Sequence, residues 1–286
     1  DYDSYKKFVR SKYSLTLCLK ITNYCPENCR YCYHKYQNKE DLNKQMDINI
    51  AKETIMKIGP AFGYLDIHLH GGEPLSVGPK YMKELLDFIY MYKEVMKNKQ
   101  KFHLSIQTNL LLMNDEMLNI LKRYEGLAIS SSYDGLAYEK NRKADSKKFL
   151  NIVNKVENTL GQKIGCVAVV TKDFINNKEK EFEHLEKNNL GTIFNPVDNY
   201  CTPEELKLEP GDYANFVIEN FKREVKTGNF TFDTGRYLFS VARESRDCLT
   251  DVCLNSIITI TPEGNIKGCD TRNNDYIYYG NVKDIR

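Results

Sequence analysis

Apolar residues along this chain recur in two alternating rhythms, and that alternation constrains the fold more than any other feature. Leu15 to Ile21 reads as a strand, and Ile48, Ala51, Ile55 and Ile58 then share one helical face. Tyr64 to His70 is a second strand, closed by Gly71-Gly72, and Leu85, Phe88, Ile89, Tyr92 and Val95 mark the next helix. Phe102 to Gln107 is strand three, followed by a short helix at Met117, Leu118 and Leu121. Leu127 to Ser131 is strand four, with Phe149, Val153, Val156 and Leu160 on the helix after it. Ile164 to Val170 is almost entirely apolar, as in a strand buried on both faces. A charged helix over Asp173 to Lys187, a short strand Thr192 to Phe194 and a helix Tyr213 to Val225 complete the pattern. Six β-then-α units predict a parallel sheet, either curled into an open barrel or doubly wound; a closed TIM barrel needs eight.

Beyond residue 230 the rhythm changes. A helix near Tyr237 to Arg243 leads into Ser256 to Lys267, two short strands flanking Pro262-Glu263-Gly264, which predict a hairpin. The expected division is therefore residues 1–230 as the α/β core and 231–286 as a small appended module.

Charge excludes some functions. Lys+Arg 41 against Asp+Glu 39 gives a net charge of +2, spread along the chain, without the basic patch of a nucleic-acid binder. No stretch approaches the roughly 20 apolar residues of a membrane span, and the first residues lack the apolar run of a signal peptide. The expected location is the cytoplasm. Nine cysteines in such a chain point to metal or catalysis rather than disulfides.

Three of them follow the first strand in the run CPENCRYCY: Cys25, Cys29 and Cys32, spaced CX3CX2C. Three thiolates on one loop can converge on one metal centre. A fourth would close a zinc site, whereas three leave a position open, which suits an iron–sulfur cluster with an accessible iron. A zinc knuckle or simply packed cysteines are the alternatives, although Pro26, Glu27, Asn28 and Arg30 make the loop polar.

The CX3CX2C loop with aromatic Tyr31 resembles the signature of the radical S-adenosylmethionine superfamily. The resemblance spans roughly residues 15 to 285. It implies a partial (β/α)6 TIM-like barrel and a 4Fe–4S cluster on Cys25, Cys29 and Cys32, whose fourth iron takes the methionine amine and carboxylate of S-adenosylmethionine. Gly71-Gly72-Glu73-Pro74 at the end of strand two resembles the family's GGEP motif, implying backbone approach to the methionine and a Glu73 that accepts from its amine. Gln107-Thr108-Asn109 and Ser132-Tyr133-Asp134-Gly135 with Arg142 resemble segments that surround the ribose and carboxylate. Gln107, Asn109, Ser132 and Arg142 are thereby candidate cofactor contacts, as is Asp134, although Asp-Gly is also an ordinary turn. Tyr31 is expected near the adenine.

Cys253, Gly264 and Cys269 give CX10GX4C, similar to the opening of a SPASM or shorter twitch domain that holds auxiliary clusters, with Cys248 as a further ligand. The later cysteines of a full SPASM domain are absent, so at most one auxiliary cluster is expected. The alternative is a redox-silent hairpin with buried cysteines. Asp270 resembles a base found in sulfatase-maturing relatives, and a carboxylate beside a cluster would have the raised pKa that role needs; an ordinary turn aspartate is the competing reading. His68 and His70 share one strand face, as metal ligands or as hydrogen-bonded interior histidines. Cys18 and Cys166 read as small core residues, and Cys201 falls in the loop after strand six, with no firm reason to place it at the site.

The implied activity is reductive cleavage of S-adenosylmethionine to a 5′-deoxyadenosyl radical, then hydrogen abstraction from a ribosomal peptide or protein side chain, giving oxidative modification or cross-linking. An electron donor of flavodoxin or ferredoxin type is the implied partner. A dehydrogenase acting on a small molecule such as a sugar alcohol is the alternative, and the absence of a leader-binding segment before Ser14 favours it. An iron–sulfur electron carrier is the non-enzymatic reading; it leaves Glu73, Ser132 and Arg142 at successive strand ends unexplained.

Overall fold

The computed structural model describes residues 13–34, 42–198, 202–209, 211–232, 234, 256–268 and 278–285. The chain divides into two compact units. One comprises Asp1–Pro26, Gln37–Ile129 and Thr250–Arg286, the other Glu27–Tyr36 and Ser130–Leu249.

The first unit is built on β1 (Ser14–Thr22), β2 (Tyr64–Gly71) and β3 (Lys101–Gln107), which run parallel with Leu17 opposite Ile67 and Ile67 opposite Leu104. Alternation on β2 buries Leu65, Ile67 and Leu69 completely and leaves Asp66, His68 and His70 half-buried on the opposite face. Between the strands lie α1 (Ile48–Ile58) and α2 (Gly78–Met96), and α3 (Asp115–Leu121) follows β3. Each start is dictated locally. Asp47 caps α1 by accepting from the Asn49 N–H at 2.8 Å, Pro79 opens α2, and Asn114 caps α3 through the Met117 N–H at 2.8 Å.

The C-terminal hairpin forms as expected, with β7 (Ile257–Ile260) antiparallel to β8 (Asn265–Lys267) and Gly264 at φ +85° in the turn. It does not stand off from the core. β7 pairs parallel to β1, Thr16 to Leu19 matching Ile257 to Ile260, and β8 pairs with a third strand, β9 (Tyr278–Asn281). The apolar β7 run IITI explains this, because an edge of β1 that buries nearly every residue needs a cover. The expected helix over 237–243 lies outside the described residues.

The second unit holds the end of β4 (Leu127–Ser132), β5 (Gly165–Val170) and β6 (Thr192–Pro196), also parallel. A short helix, α4 (Tyr138–Arg142), precedes α5 (Ser146–Leu160), and α8 (Asp212–Thr227) follows β6. The charged helix expected over Asp173–Lys187 is instead two, α6 (Lys172–Asn176) and α7 (Lys178–Lys187). The break is at Asn177, whose side chain donates to the Asp173 carbonyl at 2.9 Å and whose backbone leaves helical geometry. Phe174, Phe182, Phe194, Phe216 and Phe232 interlock, with ring centres 5.1–5.8 Å apart where they meet. Each such pair contributes roughly 0.5–1.5 kcal/mol beyond its buried area.

Candidate active site

In the first unit the glycine turn is locked against the backbone that leads into Cys25. The N–H groups of Gly72 and Glu73 donate to the carbonyls of Thr22 and Tyr24, both at 2.7 Å. A Cβ on Gly71 would lie 2.1 Å from the Thr22 oxygen, and one on Gly72 would lie 2.3 Å from the Tyr24 oxygen. The glycines are therefore required by the chain itself, whatever else approaches them.

Glu73 is 1% exposed and takes several donors from its own chain. Its Oε1 accepts from the Leu75 N–H at 2.9 Å, capping the turn at Pro74, and from the Thr108 hydroxyl at 2.6 Å. Its Oε2 accepts from the Asn109 N–H at 2.7 Å. The carboxylate thus fastens the end of β3 to the turn after β2. Asn109 directs its side-chain amide toward the Cys25 sulfur at 3.9 Å and accepts from the Leu111 N–H. Gln107, the last residue of β3, is half-buried. His68 and His70 stack at 5.4 Å, and His68 Nδ1 is 2.7 Å from the Ser105 hydroxyl.

In the second unit Cys29 and Cys32 are half-buried free thiols. Burial pushes the Cys29 thiol well up, the Arg142 guanidinium pulls it down, and the Glu27 carboxylate, 3.6 Å from the sulfur, adds to the rise. A bound metal would offset this. Asp134 is fully buried. Its Oδ2 accepts from Arg142 Nε at 3.0 Å and from the Tyr31 hydroxyl in a short hydrogen bond, and its Oδ1 from Arg142 Nη2 at 3.1 Å and the Val169 N–H at 3.1 Å. The guanidinium carbon lies 5.6 Å from the Tyr31 ring centre. Ser132 ends β4, opposite Val167 of β5.

Three polar atoms on α4 are buried and without a hydrogen-bond partner: the Tyr138 hydroxyl and both ends of the Asn141 side-chain amide, in a residue 1% exposed. Leaving such groups unmet costs roughly 1–3 kcal/mol each. The Asn141 carbonyl accepts from Arg30 N at 2.9 Å, which fixes α4 to the cysteine loop. Tyr138, Asn141 and Thr108 were outside the sequence expectations. Position is the only signal that could have found them: Thr108 stands between Gln107 and Asn109, and Asn141 directly before Arg142.

Among the described residues no three His, Cys, Asp or Glu side chains are already gathered as around a metal ion. The fit of Cys25, Cys29 and Cys32 to a cluster therefore rests on the donor set: three free thiols in one short polar stretch of sequence. Cys201, Cys248, Cys253, Cys269 and Asp270 lie outside the described residues.

Residues 19–193 match the family model described as Radical SAM superfamily. The cysteine-type anaerobic sulfatase-maturating enzyme of Clostridium novyi (strain NT) is 22% identical over 281 residues, which covers 90% of this chain and 74% of that one. Two solved structures share the fold. Native anSMEcpe with bound AdoMet and Cp18Cys peptide superposes with a TM-score of 0.75 at 18% identity, covering 95% of this chain and 78% of that one. Streptococcus suis SuiB bound to precursor peptide SuiA gives 0.67 at 16% identity, covering 99% and 66%. The α/β class with a parallel sheet, expected from the alternation, is the class these structures share. Among the described residues no helix is long and apolar enough to cross a membrane.

Proposed function

Because this chain belongs to the radical SAM superfamily, we propose that it uses S-adenosylmethionine and a 4Fe–4S cluster on Cys25, Cys29 and Cys32 to modify a peptide or protein side chain oxidatively. When bound, that pair supplies reductive cleavage of the sulfonium C–S bond and a 5′-deoxyadenosyl radical that takes a hydrogen atom from the substrate. The observation that carries the reading is the glycine turn: its N–H groups hold the backbone entering Cys25, while Asn109 directs its amide at that sulfur.

The chain's own groups bind and orient. Gly71, Gly72 and Pro74 shape the turn, and Glu73 would accept from the methionine ammonium group while anchoring β3. Gln107, Asn109 and Ser132, at strand ends, offer hydrogen bonds to ribose and methionine oxygens. Arg142 offers a guanidinium to a carboxylate, and Tyr31 an aromatic face to the adenine. Asp270 would take a proton as a substrate radical is oxidised. Cys248, Cys253 and Cys269 would hold an auxiliary cluster in a C-terminal module beginning near residue 231, and a small flavodoxin- or ferredoxin-type protein would deliver the electron. The peptide reading is supported by the likeness to a sulfatase-maturating enzyme and to SuiB bound to its precursor peptide.

The test is anaerobic reconstitution with iron and sulfide, addition of S-adenosylmethionine and a strong reductant, and quantification of 5′-deoxyadenosine. Product that disappears in the Cys25/Cys29/Cys32→Ala variant is expected. A fully loaded cluster that yields none overturns the reading.

A further inference from the structure

Asp134 belongs to the segment expected to touch the cofactor, yet its carboxylate has no capacity left for one. Two oxygens offer about four acceptor positions. Arg142 Nε and Nη2, the Tyr31 hydroxyl and the Val169 N–H occupy four, in a residue with 0% exposure.

The geometry of Arg142 gives the arrangement its sense. A guanidinium carries five N–H donors in a planar fork. Asp134 grips the Nε–Nη2 edge in bidentate fashion, which fixes the plane and leaves the Nη1 end for a second carboxylate. The same carboxylate holds Tyr31, between Cys29 and Cys32, with its ring centre 5.6 Å from the guanidinium carbon. One buried anion therefore sets the attitude of two groups, one on α4 and one on the cysteine loop, and neutralises a cation whose side chain is only 8% exposed.

We propose that Asp134 is a positioning residue: it presents the free end of Arg142 to the carboxylate of S-adenosylmethionine and holds Tyr31 in register with it, without touching the cofactor. This rests on the function proposed above and deepens it.

The test uses the anaerobically reconstituted full chain and four proteins: wild type, Asp134→Asn, Arg142→Met and the double variant. Asn at 134 has one acceptor oxygen, which in the place of Oδ2 still serves Tyr31, but an amide NH2 in the place of Oδ1, so it loses the bidentate grip on Arg142 and the bond from Val169. Affinity for S-adenosylmethionine is read from the change it causes in the electron paramagnetic resonance signal of the reduced cluster, with iron content and melting temperature alongside. In the wild-type background Asp134→Asn is expected to weaken binding at least tenfold at unchanged iron content. In the Arg142→Met background the same change is expected to alter binding less than twofold, since the group it positions is gone.

Equal fold-losses in both backgrounds overturn the proposal, as does wild-type affinity in a loaded Asp134→Asn protein. Should Asp134→Asn alone fail to fold, the double variant, which buries neither charge, is set against Arg142→Met, which leaves the Asp134 carboxylate without its cation: fivefold weaker binding in the double variant refutes positioning through Arg142. If a loaded wild-type cluster shows no response to S-adenosylmethionine, the function itself fails and this inference falls with it.

Discussion

Raising the pH from 5 to 8 should weaken the second unit through one residue, Glu181 on α7. Glu181 is 2% exposed and lies against the turn after Asp134, its Oε2 accepting from the Leu136 N–H at 2.7 Å. Gly135 makes room for it: at φ +64°, a Cβ there would sit 2.1 Å from the same oxygen. Burial raises the carboxyl from an ordinary 4.5 to about 7, the backbone N–H of Leu136 opposing and the Asp134 charge adding to the rise. The folded-state pKa is the higher one, so the stability Glu181 contributes is fully present below pH 4.5 and lost as pH rises through 7. At about 1.4 kcal/mol per unit, the full loss is about 3 kcal/mol, of which roughly 2.5 falls between pH 5 and 8. The assay is denaturant unfolding of wild type and Glu181→Gln at constant ionic strength across that range. The amide keeps an acceptor for Leu136 but cannot ionise, so the stability difference between the two proteins should shift toward the variant by about 2.5 kcal/mol from pH 5 to 8. A difference constant to within about 0.5 kcal/mol would refute the assignment, because surface substitutions away from special sites change stability by no more than that.

Thr108→Val removes the hydroxyl that donates to buried Glu73 at 2.6 Å, and should cost about 1–3 kcal/mol in denaturant unfolding; an unchanged midpoint would show Glu73 to be independent of it. Gly72→Ala drives a Cβ to 2.3 Å from the Tyr24 carbonyl and 2.5 Å from that of Asn23. Its cost should be about 1–3 kcal/mol or more, and since the displaced backbone runs into Cys25, iron bound after reconstitution should fall as well. Asn109→Ala takes an amide donor from the Cys25 sulfur; hydrogen bonds to cluster sulfurs stabilise the reduced form, so a redox titration should find a more negative potential, and an equal or higher one counts against the contact. Asn141→Leu fills the same space without the unmet amide. It should stabilise the cofactor-free protein by about 1 kcal/mol while weakening S-adenosylmethionine binding, and a variant that binds with wild-type affinity would mark the amide as idle.

Strand and helix rhythm made the fold legible because each of β1 to β6 is short, apolar on at least one face and followed by a helix. What rhythm could not reveal was tertiary choice. The IITI run reads as half of a hairpin, but its pairing with β1 depends on an open edge more than two hundred residues earlier in the chain. The break at Asn177 was equally hidden, because the charged pattern continues through it and only the side chain's competition for the Asp173 carbonyl interrupts the helix. At the site, residue type and spacing singled out Cys25, Cys29, Cys32, Glu73 and Arg142. They were silent about partners: which donors saturate a carboxylate is decided by neighbours on other strands, such as Thr108 for Glu73 and Val169 for Asp134.

That silence matters, because it inverts the natural assignment of roles. Acidic residues in a ligand-binding motif invite the reading that they bind the ligand. Here the carboxylates of Glu73 and Asp134 each take three or more donors from their own chain while almost fully buried. Buried carboxylates so supplied fix donor groups in place before any ligand arrives, which lowers the ordering cost of binding. The groups with capacity to spare lie on α4: the free end of the Arg142 fork, which the motif reading names, and the Asn141 amide and Tyr138 hydroxyl, which it passes over. On this view the acids are the frame and α4 presents the contacts. Substitutions at the acids should then change affinity through geometry, whereas those on α4 should change it directly.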